Sequence, residues 1–421
     1  MRGKIEGKKR LCPKVWKSLL FFMCLSLTAG FLVLHLMLPD TVRIIRGEEI
    51  TLYGGLMELQ TEDGDALQPA EQGTTPPAEG WVQTEEAAYR TTEATIRLWG
   101  IPLKKVNLQV WEQREVLVSG ETIGVDIFTD GVLVLGTGQL TTERGEEEAP
   151  AKGCVFTGDR IDRVNGVAVE SAREVMEAVE ASRGETVTLS LRRNGESRDV
   201  SVTPVLTTDG SYKIGIWIRD RAQGIGTLTY YDQKSGGYGA VGHGITDVDT
   251  GEILPAGRGF LMGARVRNLV RGRKGEPGEV EASLTGQRRG EIRANTDKGV
   301  FGIADEGQIQ GVSCPVAFRG QVKEGRAQVI TDLVTGTPES FEVRVEKITT
   351  GIGGRSGLVV EITDERLLAA TGGIIQGMSG CPLLQDGRLI GAVTHVFIKD
   401  PTRGYGIYIE DMLQEMMEQI G

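Results

Sequence analysis

Histidine and cysteine are both scarce in this chain of 421 residues, which has three of the first and five of the second. No two cysteines form a CxxC pair, so the chain is neither a disulfide scaffold nor a zinc ribbon. With three histidines and no HExxH, a three-histidine zinc site and the zinc-protease helix are set aside. Aromatic residues make up 5% of the chain and the formal net charge is -11. Few stacking platforms and an acidic balance that repels phosphate exclude a nucleic-acid partner. The Gly-rich run GIGGRSG at 351–357 lacks the Walker lysine and its spacing, so it is no phosphate cradle. Neither a metal nor an organic cofactor is implied. What is plentiful is glycine, 59 residues without a three-residue period. That excludes collagen and points to many tight turns between short strands, hence a mainly β chain of two or three domains.

The N-terminus sets the compartment. Seven basic residues (Arg2, Lys4, Lys8, Lys9, Arg10, Lys14 and Lys17) precede SLLFFMCLSLTAGFLVLHLMLP, Ser18 to Pro39, whose only ionisable residues are Cys24 and His35. As a helix this run is long enough to span a membrane. The basic block stays cytoplasmic and the rest lies outside. A cleaved signal peptide shares the basic start, but the apolar run is long for one, so residues 1–40 are expected to be a cytoplasmic tail and transmembrane anchor. Residues 41–94 are expected to be linker, because EDGDALQPAEQGTTPPAEGW, Glu62 to Trp81, cannot bury enough apolar surface to fold alone.

Residues 95–207 read as a small α+β domain. TVTLSLRR, Thr186 to Arg193, alternates with the period of a half-buried strand. Asn194-Gly195 then marks a tight hairpin turn before DVSVTPV. Ser171 and Glu174 form a capping box opening a helix with Val175, Ala178 and Val179 on its apolar face, stopped by Gly184. TTERGEEEAPAKG, Thr141 to Gly153, is an acidic solvated loop. With GVLVLG (Gly131 to Gly136) and GDRIDRVNG (Gly158 to Gly166), the segment resembles a PDZ domain. The resemblance implies a peptide groove between Val132–Leu135 and the helix from Ser171, with a carboxylate-binding loop near Thr129 to Gly131. That loop lacks the usual GLGF-like run.

From residue 211 to 421, Gly-punctuated strand patterns follow one another until IEDMLQEMMEQI, Ile409 to Ile420, whose Met412, Leu413, Met416, Met417 and Ile420 make a helical stripe for the core. Two clusters carry chemistry. GHGITDVDTG, Gly242 to Gly251, holds His243; GGIIQGMSGCP, ending at Pro382, sets Ser379 between Gly377 and Gly380. Small residues on both sides of one hydroxyl let a scissile carbonyl approach the backbone. The apolar strand RLIGAVTHVF that follows is expected to hold the loop rigid. Outside the apolar N-terminal run, His243 and His395 are the two histidines that can serve as base. His395 sits in an apolar strand, as structural histidines do. Asp247, Asp249, Asp364 and Asp386 are the carboxylates near these motifs. Asp364 also reads as an N-cap for ERLLAA. Cys381 reads as a small buried residue, and Cys154 and Cys314 fit either a bridge or two free thiols.

GMSGCP looks like the nucleophile loop of chymotrypsin-like proteases. Together, GHGITDVDTG, TGGIIQGMSG and the order anchor, PDZ, protease resemble the SpoIVB family of sporulation peptidases. The resemblance implies a chymotrypsin-like double β-barrel over 211–421 and a triad of His243, Asp364 and Ser379, with Gly377 and Ser379 donating to the oxyanion. It implies an anchored serine endopeptidase between forespore and mother-cell membranes. Its partners would be a membrane-associated regulatory protein as substrate, itself by self-cleavage, and a peptide terminus in the PDZ-like groove.

Overall fold

The computed structural model describes residues 13–46, 57–61, 89–247, 251, 253–254, 256–349 and 357–420. They form two compact units, one holding residues up to Gln113 with Phe318–Gln321, the other the rest from Arg114 onward.

In the first unit, helix α1 (Pro13–Met37) leads to a four-stranded sheet of β1 (Thr41–Ile45), β2 (Met57–Thr61), β3 (Tyr89–Leu98) and β4 (Ile101–Trp111), in the order β1-β4-β3-β2. The expected linker over 41–94 is therefore corrected at both ends. TVRII buries Val42, Ile44 and Ile45 and pairs in parallel with β4, from Thr41 opposite Asn107 to Ile45 opposite Trp111. Residues 95–111, expected in the PDZ-like domain, belong to this sheet too, because Ile96, Val106 and Leu108 close its core. The Gly- and Pro-rich stretch 62–81 lies outside the described residues. Among the described residues no helix is long and apolar enough to cross a membrane. The expected span from Ser18 overlaps positions whose side chains are not described.

The second unit opens with the PDZ-like layer. Strands β5 (Thr122–Thr137), β6 (Arg160–Val164), β7 (Val187–Arg193) and β8 (Glu196–Val202) pair in sequence, and α2 (Ala172–Ala181) packs Val175 and Val179 against Val132, Val134, Ile161 and Leu189. The capping box forms as expected: Glu174 N–H donates to Ser171 Oγ at 3.2 Å and Ser171 N–H to Glu174 Oε2 at 3.3 Å. Asn194 and Gly195 both take positive φ, 52° and 82°, which suits the expected two-residue turn.

The groove expected beside Val132–Leu135 is filled by the chain itself. Strand β9 (Ile216–Asp232) pairs with that edge, Ile218 opposite Val134 and Arg219 opposite Leu133, while β6 takes the other edge. Ile216 and Ile218 join the core under α2, and Asp220 accepts from the Ala172 N–H at 2.8 Å. With both edges of this segment hydrogen-bonded, no incoming strand can add there.

β9 runs without a break into the next layer, so a boundary near 211 falls just before a strand shared by two domains. With β10 (Gly237–Ala240), β11 (Ala256–Val270), β12 (Glu279–Thr296) and β13 (Gly299–Ala304), the pairings run β5-β11-β12-β13-β10-β9 and return to β5. This six-strand ring encloses Ile123, Val125, Leu228, Tyr238, Leu261 and Val300. A second barrel closes through β14 (Gly325–Thr331), β15 (Glu339–Thr349), β16 (Gly357–Ile362), β17 (Pro382–Gln385), β18 (Arg388–Val396) and β19 (Arg403–Tyr408). Phe341, Leu358, Met378, Cys381 and Leu383 are in its core. Short α3 (Glu365–Thr371) follows β16, and α4 (Ile409–Ile420) buries Met412, Leu413 and Met416 as its stripe requires. Two barrels are present, but the first is closed by β5 from residues 122–137, so it is not contained within the expected range 211–421.

Candidate active site

The loop before β17 holds Ser379, and each of its backbone turns is fixed. Met378 N–H donates to Ile375 O, Gly380 N–H to Val393 O at 2.7 Å and Cys381 N–H to Met378 O. From the first barrel, β9 clamps it. Thr227 N–H donates to Ser379 O at 2.8 Å, Thr227 Oγ1 to Gly377 O at 2.9 Å and Thr229 Oγ1 to Gly380 O at 2.7 Å. The sequence carried a signal for this clamp, two threonines two apart in GIGTLTYYD, that the strand assignment alone did not use. Gly380 is required at its place: its φ is +97°, and a Cβ there would sit 2.1 Å from Thr227 O.

In this loop Met378 and Gly380 spend their N–H groups on carbonyls, whereas the Gly377 and Ser379 N–H groups have no acceptor among the described residues. Two unspent donors flanking a hydroxyl are what an oxyanion requires. They are the two residues expected in that role.

His243 arrives from the first barrel. After β10, Val241 and Gly242 both adopt positive φ, 69° and 74°, and throw the chain outward. A β-branched residue in that region stores about 1–3 kcal/mol of strain. It is held by burial and by the Val241 N–H bond to Thr227 O at 3.1 Å. A Cβ on Gly242 would lie 3.2 Å from the Thr394 methyl, so the His243 backbone runs beside β18. His243 Nδ1 is 2.9 Å from Gly244 O. A carbonyl can only accept, so Nδ1 carries the proton and Nε2 is the free basic nitrogen. Burial pushes the His243 pKa down, partly offset by that bond.

Ser379 Oγ donates to Thr394 O at 2.7 Å, one residue before His395. The His395 ring stacks on His243, with centroids 4.5 Å apart and planes at 33°. Rather than sitting satisfied in the core, His395 is exposed and makes no hydrogen bond through its ring among the described residues. Ser379 and His243 thus meet adjacent residues of β18, Thr394 and His395, and no hydrogen bond joins the two among the described residues.

Asp364 is not part of that convergence. It is the N-cap of α3, accepting from Arg366 N–H at 2.9 Å, from the Arg366 guanidinium at 3.0 and 3.2 Å, and from Glu342 N–H at 3.3 Å. Burial raises its pKa, but the Arg366 bonds outweigh it and hold the carboxyl below the ordinary range. No hydrogen bond joins Asp364 to His243 among the described residues. Asp247 is buried against Arg219, and Asp249 lies outside the described residues. Cys24, Cys154, Cys314 and Cys381 are free thiols, so no Cys154–Cys314 bridge forms.

A family model described as SpoIVB peptidase S55 matches residues 210–413. Residues 210–413 are thus similar to that family. The S55 match covers both barrels from β9 onward and every expected site residue. Among curated proteins, LL2128 of Lactococcus lactis subsp. lactis (strain IL1403), named for a zinc metalloprotease, is 33% identical over 22% of this chain and 20% of its own length. Zinc metalloprotease RasP of Geobacillus kaustophilus (strain HTA426) is 28% identical over 30% of this chain and 34% of its own. The chain therefore spans between a fifth and about a third of these relatives. Among solved structures, the HtrA-type protease AlgW with decapeptide is similar at 11% identity, covering 72% of this chain and 65% of that one, TM-score 0.29. The PDZ domain of the SdrC-like protein Lmo2051 from Listeria monocytogenes is similar at 22% identity, covering 21% of this chain and 87% of that one, TM-score 0.18.

Proposed function

We propose that the S55 region is a serine endopeptidase in which Ser379 is the nucleophile, His243 the general base, and the Gly377 and Ser379 N–H groups the oxyanion donors. The observation that carries this reading is the pair of unspent N–H groups beside a serine whose loop meets the strand against which His243 packs. In turnover the Ser379 hydroxyl leaves Thr394 O for His243 Nε2, attacks the scissile carbonyl, and gives its proton to the imidazole. The imidazole returns that proton to the leaving amine, and water then hydrolyses the acyl-enzyme by the same route. In this conformation Gly244 O fixes the tautomer, the task otherwise given to a carboxylate. Asp364 joins His243 only if its bonds to Arg366 open.

The substrate class in this reading is protein: a membrane-associated regulatory protein and the chain itself, as the sporulation family implies. The chain is held at the membrane, its catalytic part outside the cytoplasm. The support is α1, where Phe21, Phe22, Leu25, Phe31, Leu32 and Leu36 are all exposed; such a surface is stable in lipid. The test is proteolysis by the full chain in detergent micelles beside Ser379→Ala, followed by mass spectrometry. Cutting by the wild type alone supports the reading, and equal cutting by both overturns it. Extraction from membranes by alkaline carbonate tests the anchor, which predicts retention in the pellet.

A further inference from the structure

We propose that His395 is a positioning residue for the catalytic base: its neutral ring stacks on His243 and stabilises the imidazolium that forms when Ser379 gives up its proton. The inference rests on the reading of His243 as the base.

The geometry places this ring with purpose. β18 spends the Val393 carbonyl on Gly380 N–H and the Thr394 carbonyl on the Ser379 hydroxyl, and its next residue is His395. The strand that locks the nucleophile loop therefore also delivers an imidazole to the base. The His243 side chain has Gly244 O on its Nδ1 and the His395 ring 4.5 Å from its own. Of the candidate carboxylates among the described residues, Asp364 pairs with Arg366 and Asp247 with Arg219. A cation forming on His243 thus meets the face of an aromatic ring instead of an anion, and such a face attracts a cation once water is excluded.

This requires His395 to stay neutral while His243 is charged. Two adjacent imidazoles cannot both take a proton cheaply. Shielding at the strand lowers the His395 pKa most, and the charge on His243 lowers it further. His243 is lowered by burial, with no contribution from a charge on His395. A proton on either ring therefore opposes a proton on the other, so the pair carries one charge at a time. Among the described residues no other charged or titratable group acts on either ring.

The experiment compares His395→Phe, which keeps a ring face, with His395→Leu, which keeps the shielding but has none. With the full chain in micelles and a protein substrate, His395→Phe is expected to keep kcat within about threefold, and His395→Leu to lose about tenfold in kcat with KM unchanged. Carbon-13-labelled histidine gives only three signals in this chain, and these report the His243 titration without any turnover. The His243 midpoint is expected lower in His395→Leu than in His395→Phe. Equal midpoints and equal kcat in the two variants would overturn the proposal. A preparation that cuts nothing, or whose Ser379→Ala form cuts as well, counts against the protease reading; the titration then still decides the role of His395.

Discussion

The Ser379 hydroxyl donates to the Thr394 carbonyl at 2.7 Å, so at rest the proposed nucleophile is bonded to the scaffold and not to His243. Release costs one hydrogen bond, about 1 kcal/mol net, which substrate binding readily offsets. Ser379→Ala is expected to abolish cleavage and yet lower unfolding stability by no more than about 1 kcal/mol. Activity and thermal unfolding measured on one preparation check both halves. A large loss of stability would recast Ser379 as a structural residue.

Burial lowers the pKa of His243, so the proposed base stays neutral at lower pH than a free imidazole. The acid limb of kcat/KM is expected to have its midpoint below 6.5, the ordinary value. The linkage has the same sign. The unfolded chain takes up the proton first, so this group's contribution to stability is present above pH 6.5 and is lost as pH falls toward the lower folded value. A midpoint at or above 6.5 would contradict the buried geometry.

Gly380 and Gly387 separate backbone strain from crowding. Both have positive φ, +97° and +74°, but a Cβ at Gly380 would strike Thr227 O at 2.1 Å and Val241 N at 2.5 Å, while one at Gly387 meets nothing within 4 Å. Gly387→Ala is expected to cost about 1 kcal/mol, the left-handed penalty alone. Gly380→Ala must displace backbone atoms of β9 and of the turn after β10 and is expected to cost more than about 3 kcal/mol, with loss of cleavage. Urea unfolding of both variants decides it, and equal costs would mean that the nucleophile loop is free to move.

The serine loop was legible because its chemistry is local. A hydroxyl between glycines, followed by an apolar strand, marks a candidate site within eleven residues. The helix α2, its capping box and the Asn194-Gly195 turn were legible for the same reason. What escaped were pairings between distant segments. Nothing in TVRII announces that it lies parallel to a strand more than sixty residues on. Nothing in IGIWIRD shows that its first half closes the edge of Val132–Leu135 while its continuation closes a barrel. His395 looked like a core residue because Val393 and Val396 around it are apolar, yet the pairing of β18 with β19 shifts register between Val393 and Val396, and His395 is exposed there with its ring against His243.

Asp364 has two readings that one pair of substitutions separates. As the cap of α3 it is served equally well by asparagine, whereas Asp364→Ala loses the cap, about 1 kcal/mol, and leaves Arg366 without its nearest anion. The structure predicts that Asp364→Asn keeps kcat within a fewfold, and that Asp364→Ala loses stability with activity falling only as folding does. Because Arg366 lowers the Asp364 pKa against the pull of burial, its contribution to stability is present above the unfolded carboxyl value near 3.9 and is lost as pH falls through the lower folded value. A drop of several orders of magnitude in kcat for a fully folded Asp364→Asn would make Asp364 the third member of a triad after all.

Cys381 stands two residues from Ser379 in the same loop, where a thiol could compete as nucleophile. Its thiol is fully buried, which pushes its pKa up to about 12, against the small opposing effect of the Thr227 hydroxyl 3.4 Å away. A thiol so shifted carries almost no thiolate at neutral pH, and the thiolate is the reactive form. Cys314 is raised by burial as well. Alkylation of the native chain at pH 8 is therefore expected to leave Cys381 and Cys314 unmodified, to reach the half-exposed Cys154, and to modify all three after unfolding, as read by peptide mass spectrometry. Cys381→Ser is expected to keep cleavage and Cys381→Ala to fold. Rapid native alkylation of Cys381 with matching loss of cleavage would move the nucleophile from the serine to the cysteine.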